Sequence, residues 1–153
     1  VGVALVQVLG HLPFAVQWVD SRDGIFPAAV PANVQCEHAD RVADAVADLP
    51  PGSRVLIMSF SHAEDFEVLT ACLTRQRQRG DLPYIGLIGS RSKWQSFQHR
   101  LMARGVTEAE LAHVTCPIGV PGIHGKAPEV IAVAVAAQLL QTLEPEAAAP
   151  ATP

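Results

Sequence analysis

The sequence predicts an α/β domain of Rossmann-like type, doubly wound around a mainly parallel sheet and lacking the first strand and most of the glycine fingerprint at its amino end. Three observations carry this expectation. Short apolar blocks alternate with helix-periodic blocks along nearly the whole chain. The blocks SRVLIMSF (53–60) and YIGLI (84–88) are apolar on both faces, which suits a parallel sheet covered on each side by helices. Each of them runs through a short polar turn into a helix, the arrangement of a βα unit.

The elements follow in order. VGVALVQVLG opens the chain as a short buried helix closed by Gly10, and FAVQWVDS (14–21) is a β-rich block ending on an acidic residue. Pro27 and Pro31 mark loops, VQC a short extended piece, and DRVADAVADLPPG a small amphipathic helix. That helix stops at Pro50-Pro51, because proline lacks the N–H and clashes with the preceding turn. SRVLIMSF is then a buried strand, AEDFEVLTACLTRQRQRG a helix over 63–80 closed by Gly80, and YIGLI a second buried strand. SRSKWQSFQHRLMARG predicts a helix over 90–105 with Ser90 as N-cap and Gly105 just past its end. A helical turn starts at Thr107, CPIGVPGIHGKAP is a loop, and Pro128 opens a last helix to about residue 143 from the first helical position that proline favours. One cofactor-binding domain is expected over 1–143. EPEAAAPATP (144–153) has no aromatic or branched apolar residue to bury and is expected to be a disordered tail.

Composition narrows the function. A chain of 153 residues, 49% hydrophobic, fits one domain with a real core. Eleven Lys plus Arg face 15 Asp plus Glu, and the basic residues are scattered, so no clustered positive face is offered to nucleic acid. The longest apolar run, VIAVAVAAQLLQ, is interrupted by Gln138 and Gln141 and falls short of the roughly 20 residues that cross a bilayer, so no membrane partner is expected. There is no basic, then apolar, leader with a cleavage site, and Cys36, Cys72 and Cys116 show no CxxC spacing. A cytoplasmic location follows as the expectation.

In doubly wound sheets ligands sit beyond the carboxyl ends of the strands, so the turns there hold the candidate site. Gly89, Ser90 and Arg91 stand where a strand passes into a helix, whose first N–H groups have no helical partner and attract an anion. Arg91 adds a bidentate donor and Lys93 a point charge; equally, Ser90 caps the helix and both cations are solvated. Asp20 lies eighteen positions past Gly2, the spacing from the last fingerprint glycine to the acidic residue that binds a ribose, although an acidic strand end is common without it. Gly119, Gly122 and Gly125, with Lys126, form a glycine loop that allows close approach of a ligand or serves as an ordinary connection. Cys116 is a candidate soft ligand or a small buried hydrophobe. His62 precedes Asp65 by three residues and is a candidate proton carrier or a helix cap. No histidine has metal-site spacing, so no metal ligands and no catalytic residues are assigned.

Taken together, IGLIGSRSKWQSFQHRL, CPIGVPGIHGKAPEVIAVAVAAQLL, WVDSRDGIFP and the strand end at His62 closely resemble the carboxy-terminal domain of the xanthine dehydrogenase accessory protein family of XdhC type. The resemblance covers nearly residues 1–143. It implies a Rossmann-like domain that binds molybdenum cofactor as cargo, protects it and helps deliver its sulfurated form to xanthine dehydrogenase or a related molybdenum hydroxylase. It implies no turnover by the domain itself. The cargo would be molybdopterin or its cytosine dinucleotide, and a cysteine desulfurase and a second copy of the chain join the expected partners. It also places a strand and a GAGH-type loop ahead of the first helix, and neither is in this sequence. By inference beyond the resemblance itself, Gly89, Ser90 and Arg91 hold phosphate and Asp20 and Arg22 address the ribose or pterin end, with Gly2 and Ser21 as further cofactor-binding candidates. His62 is among the matching positions, and Cys116 with Gly119 and Gly122 lies near the metal. Two other readings stand beside it: an NAD(P)-dependent oxidoreductase fragment, from the Asp20 spacing, and a Rossmann-type protein-interaction module.

Overall fold

The computed structural model describes residues 1–143, and the expected tail at 144–153 lies outside the described residues. The chain forms α1 (Gly2–Leu9), β1 (Val16–Asp20), β2 (Val34–His38), a 3-10 helix (Val42–Asp48), β3 (Arg54–Ile57), α2 (His62–Arg79), β4 (Tyr84–Leu87), α3 (Arg91–Ala103), α4 (Glu108–Leu111), β5 (Val114–Thr115) and α5 (Pro128–Gln141). No helix among the described residues is long and apolar enough to cross a membrane.

All strand pairs are parallel. β1 pairs with β2 from Val16 opposite Val34 to Asp20 opposite His38, and β4 lies between β3 and β5. The strands thus form two parallel sheets, with the break where the expected first strand is lacking. The facing edges of β1 and β3 are separated by an apolar slot whose walls include Leu5, Leu9, Val19, Leu56 and Val68. This is where doubly wound order puts the first strand, and without a strand between them the two edges share no ladder. Arg22 and Phe60, just past the ends of β1 and β3, are in contact, so the two sheets point their carboxyl ends the same way.

Helices cover both faces, as the two-sided apolar pattern of the strands requires. On one face Val55, Ile57, Ile85 and Leu87 pack with Leu69 and Cys72 of α2 and with Phe97 and Leu101 of α3. On the other, Leu56, Met58 and Tyr84 pack with Leu5 and Leu9 of α1 and Ala132, Val135 and Leu139 of α5. Alternation along β3 and β4 therefore assigns successive residues to opposite cores.

Local chemistry sets the ends of the helices. The Ser61, Ser90 and Thr107 hydroxyls each accept the backbone N–H three residues on, from Glu64, Lys93 and Glu110, and Thr107 with Glu110 completes a capping box. Gly80 ends α2 in the left-handed conformation. Two details differ from expectation. The segment Val42–Asp48 is a 3-10 rather than an amphipathic α-helix: it is seven residues long with Val46 alone buried, too little to offset the cost of an α-helical nucleus. β5 was not foreseen, because two residues cannot display a period.

Candidate functional site: the carboxyl ends of the strands

The predicted residues fall into two groups. Gly2 and Asp20 border the slot at the end of β1, where Gly2 lies against the ring of Trp18. Asp20 is committed within its own turn: Oδ1 accepts the Arg22 backbone N–H at 2.8 Å and Nε–H at 3.1 Å, and Oδ2 accepts Nη2–H at 3.0 Å. Burial alone would raise the Asp20 pKa, but these hydrogen bonds outweigh it and hold the carboxyl below its ordinary value. Three of its roughly four acceptor sites are thus taken by Arg22, so a ribose hydroxyl would share the carboxylate with that residue. The Ser21 carbonyl accepts from His38 Nε2 at 3.1 Å.

The second group surrounds the turn after β4. Ser90 caps α3, and Arg91 is exposed on the first turn, where the unpartnered N–H groups gather. Lys93 does not face outward with it. Its ammonium turns inward and donates to Asp65 Oδ2 at 2.6 Å and to the Ile88 carbonyl at 2.7 Å, while Asp65 Oδ1 accepts the Ser59 N–H at 2.7 Å. Both side chains are buried, at 7% and 2% exposure, so the pair is screened little by solvent. It ties the β3–α2 turn to the β4–α3 turn. Gly89 is required by this arrangement: its φ is +155°, and a Cβ there would stand 2.5 Å from Lys93 Cδ.

Sequence reasoning paired Asp65 with His62 and placed Lys93 at the anion turn. The structure pairs Asp65 with Lys93 instead. His62 is exposed at the start of α2 and sets its ring edge-on to Phe97 at 6.4 Å between centroids. The available signal was a carboxylate in the first turn of one βα helix and a lysine in the first turn of the next, two positions that converge once their strands are neighbours.

Between this turn and α5 lies a hollow of about 470 Å³, lined by Gly89, Ile118, Gly119, Ile123, Lys126 and Ala134 among others. Gly119 donates its N–H to Gln138 Oε1 at 2.9 Å and its carbonyl accepts from Gln138 Nε2 at 3.2 Å, which fixes the loop to α5. A Cβ on Gly119, at φ +108°, would press to 3.2 Å from that of Ala134. Gly122 is exposed on the loop and does not line the hollow. Cys116 precedes the hollow by one residue. Burial pushes its thiol pKa up, with Lys93 opposing in part, so the protonated thiol dominates at neutral pH. Among the described residues no three His, Cys, Asp or Glu side chains gather as metal ligands.

The hollow thus offers apolar walls and Lys126, and Gly89 on its wall leads through Ser90 to the exposed Arg91 at the α3 N-terminus. Apolar walls suit a flat ring, and the two cations suit phosphate.

Known proteins share this architecture. A crystal structure of a xanthine dehydrogenase from Bacillus halodurans superposes with a TM-score of 0.73 at 26% identity, covering 96% of this chain and 41% of that one. The uncharacterized protein YqeB of Escherichia coli (strain K12) is 30% identical over 141 residues, 90% of this chain and 25% of its own length. The chain therefore spans about a quarter of that relative and under half of the solved one. Residues 1–139 match the family described as XdhC Rossmann domain, and the chain belongs to that family.

Proposed function

We propose that this domain carries molybdenum cofactor for an accessory protein that serves xanthine dehydrogenase or a related molybdenum hydroxylase. It holds the cofactor as cargo, shields it and helps pass on its sulfurated form. The observation that carries the reading is an apolar hollow at the carboxyl end of β4, lined by Lys126 and by Gly89, which stands two residues before Arg91 and the start of α3. Membership of the XdhC Rossmann-domain family supports the choice of cargo over other phosphorylated ligands.

The residues fit this guest through its organic part. Phosphate would be held by Arg91, Lys126 and the free N–H groups of α3, and the apolar walls and the Gly119 loop would cover the part of the cargo next to it. The metal end would be covered rather than ligated, since Cys116 favours its thiol form. Recipient hydroxylase, desulfurase and a second copy are the partners this role entails.

The test compares pterin retained on the purified parent with that on Arg91→Ala and on Arg79→Ala, an exposed control at the far end of α2. Loss of a charge-assisted hydrogen bond of about 1.5–3 kcal/mol predicts at least tenfold weaker retention for Arg91→Ala alone. Equal retention in all three removes the site from this turn.

A further inference from the structure

Phe60, three residues past the end of β3, is 60% exposed at the ligand-facing edge of the sheets. Isolated exposed apolar residues are ordinary, but this one is held in an organised setting. The Arg22 guanidinium sits 5.5 Å from the Phe60 ring centroid and occupies one face of the ring. Arg22 is itself anchored by the two hydrogen bonds from Nε and Nη2 to the Asp20 carboxylate. Among the described residues its Nη1 has no hydrogen-bond partner. Phe60 is therefore fixed from the β1 side with its other face open, and a donor stands beside it.

We propose that Phe60 and Arg22 form a stacking shelf for a flat heterocycle that carries a ring carbonyl or another acceptor. The ring stacks on the open face of Phe60, and the acceptor takes the free Nη1–H of Arg22. An aromatic face accepts any flat ring, while the guanidinium donor selects one with an acceptor on its edge. Asp20 then has a positioning role: it holds Arg22 over Phe60 instead of meeting the ligand. The shelf deepens the proposed function, and rests on it only in taking that ring to be the pterin of the cargo.

The experiment titrates 6-hydroxymethylpterin, and separately adenosine, into the parent chain, Phe60→Ala, Phe60→Tyr and Arg22→Gln, following quenching of ligand or tryptophan fluorescence. Circular dichroism checks the fold of each variant, and Phe60 is exposed enough that its removal leaves both cores intact. The expected result is pterin binding that weakens roughly tenfold in Phe60→Ala, survives in Phe60→Tyr and weakens in Arg22→Gln. Adenosine bound with the same dependence on Phe60, and no pterin bound, supports the shelf and overturns the pterin cargo. Equal binding of either ring to the parent and Phe60→Ala overturns the shelf and leaves the Arg91 reading standing. Binding of neither ring to the parent also overturns the shelf.

Discussion

Lys93 of α3 and Asp65 of α2 form an ion pair at 2.6 Å beneath the turns that make the candidate site, and both are almost wholly buried. Each also holds a main-chain group of the turn that leads into its own helix: Asp65 accepts from Ser59 and Lys93 donates to Ile88. Two helix starts and two strand ends are thereby fixed by three hydrogen bonds. Breaking one member leaves the other charge buried without a partner, which typically costs about 3–5 kcal/mol.

Lys93→Met should therefore destabilise the domain by that order, whereas Asp65→Asn combined with Lys93→Met should lie closer to the parent. The asparagine keeps an acceptor for the Ser59 N–H and removes the stranded charge. Urea unfolding of the parent, both single variants and the double variant reads the coupling directly. Strictly additive losses would show that the two groups do not act as a pair.

Gly89 offers a second check on the same geometry. Gly89→Ala sets a methyl 2.5 Å from Lys93 Cδ at a φ of +155°, so overpacking and backbone strain together should cost about 1–3 kcal/mol. Shortening the obstacle relieves only the contact. In a Lys93→Ala background, the added cost of Gly89→Ala should fall without vanishing. A cost unchanged by that background would assign all of it to backbone strain.

The cysteines should differ in reactivity. Cys36 is exposed, Cys116 is half-buried with its pKa raised by burial, and Cys72 is buried with its pKa pushed up to about 12. Since the thiolate is the nucleophile, iodoacetamide at neutral pH should modify Cys36 first, Cys116 more slowly, and Cys72 only on unfolding. Mass spectrometry over time gives the order. Cys116 reacting ahead of Cys36 would reveal an activated thiolate and return it to the metal side of the site.

How far the sequence could be read depended on the range of each signal. The parallel α/β plan was legible because strand burial and helix caps are written in neighbouring residues: Tyr84–Leu87 is apolar and buried throughout, and Ser61 and Ser90 cap the helices that follow. The slot between β1 and β3 was legible from the missing first strand. The Asp65–Lys93 pair was not, because its members are 28 positions apart and each alone reads as a solvated first-turn charge. The inward turn of Lys93 also changes what Gly89 is for. A glycine that looked like an opening for an anion makes room for a lysine stem, and Arg91 is left as the cation at the surface.

Tyr84 gives a pH test of the core beneath the glycine loop. Its hydroxyl donates to Gln138 Oε1 at 2.6 Å, the same oxygen that accepts the Gly119 N–H, so the phenol supports the contact that fixes the loop to α5. Burial raises its pKa from the usual 10.0 to about 12. The folded state therefore holds the phenolic proton more tightly than the unfolded chain does. This contribution to stability is complete below pH 10 and is lost as the pH rises through about 12. Tyr84 is the sole tyrosine of the chain, so phenolate absorbance reports it alone. The native protein should show its phenolate midpoint well above that measured in urea, or ionise only as circular dichroism records unfolding. Tyr84→Phe should lose roughly 0.5–1.5 kcal/mol at neutral pH with the hydroxyl's hydrogen bond, and should lose stability less steeply between pH 10 and about 12. The remaining decline in that variant includes the buried Cys72 thiol, whose folded pKa also lies near 12. A native midpoint near 10 with the fold intact would mean that water reaches the phenol, and that the glycine loop is not seated on α5 as described.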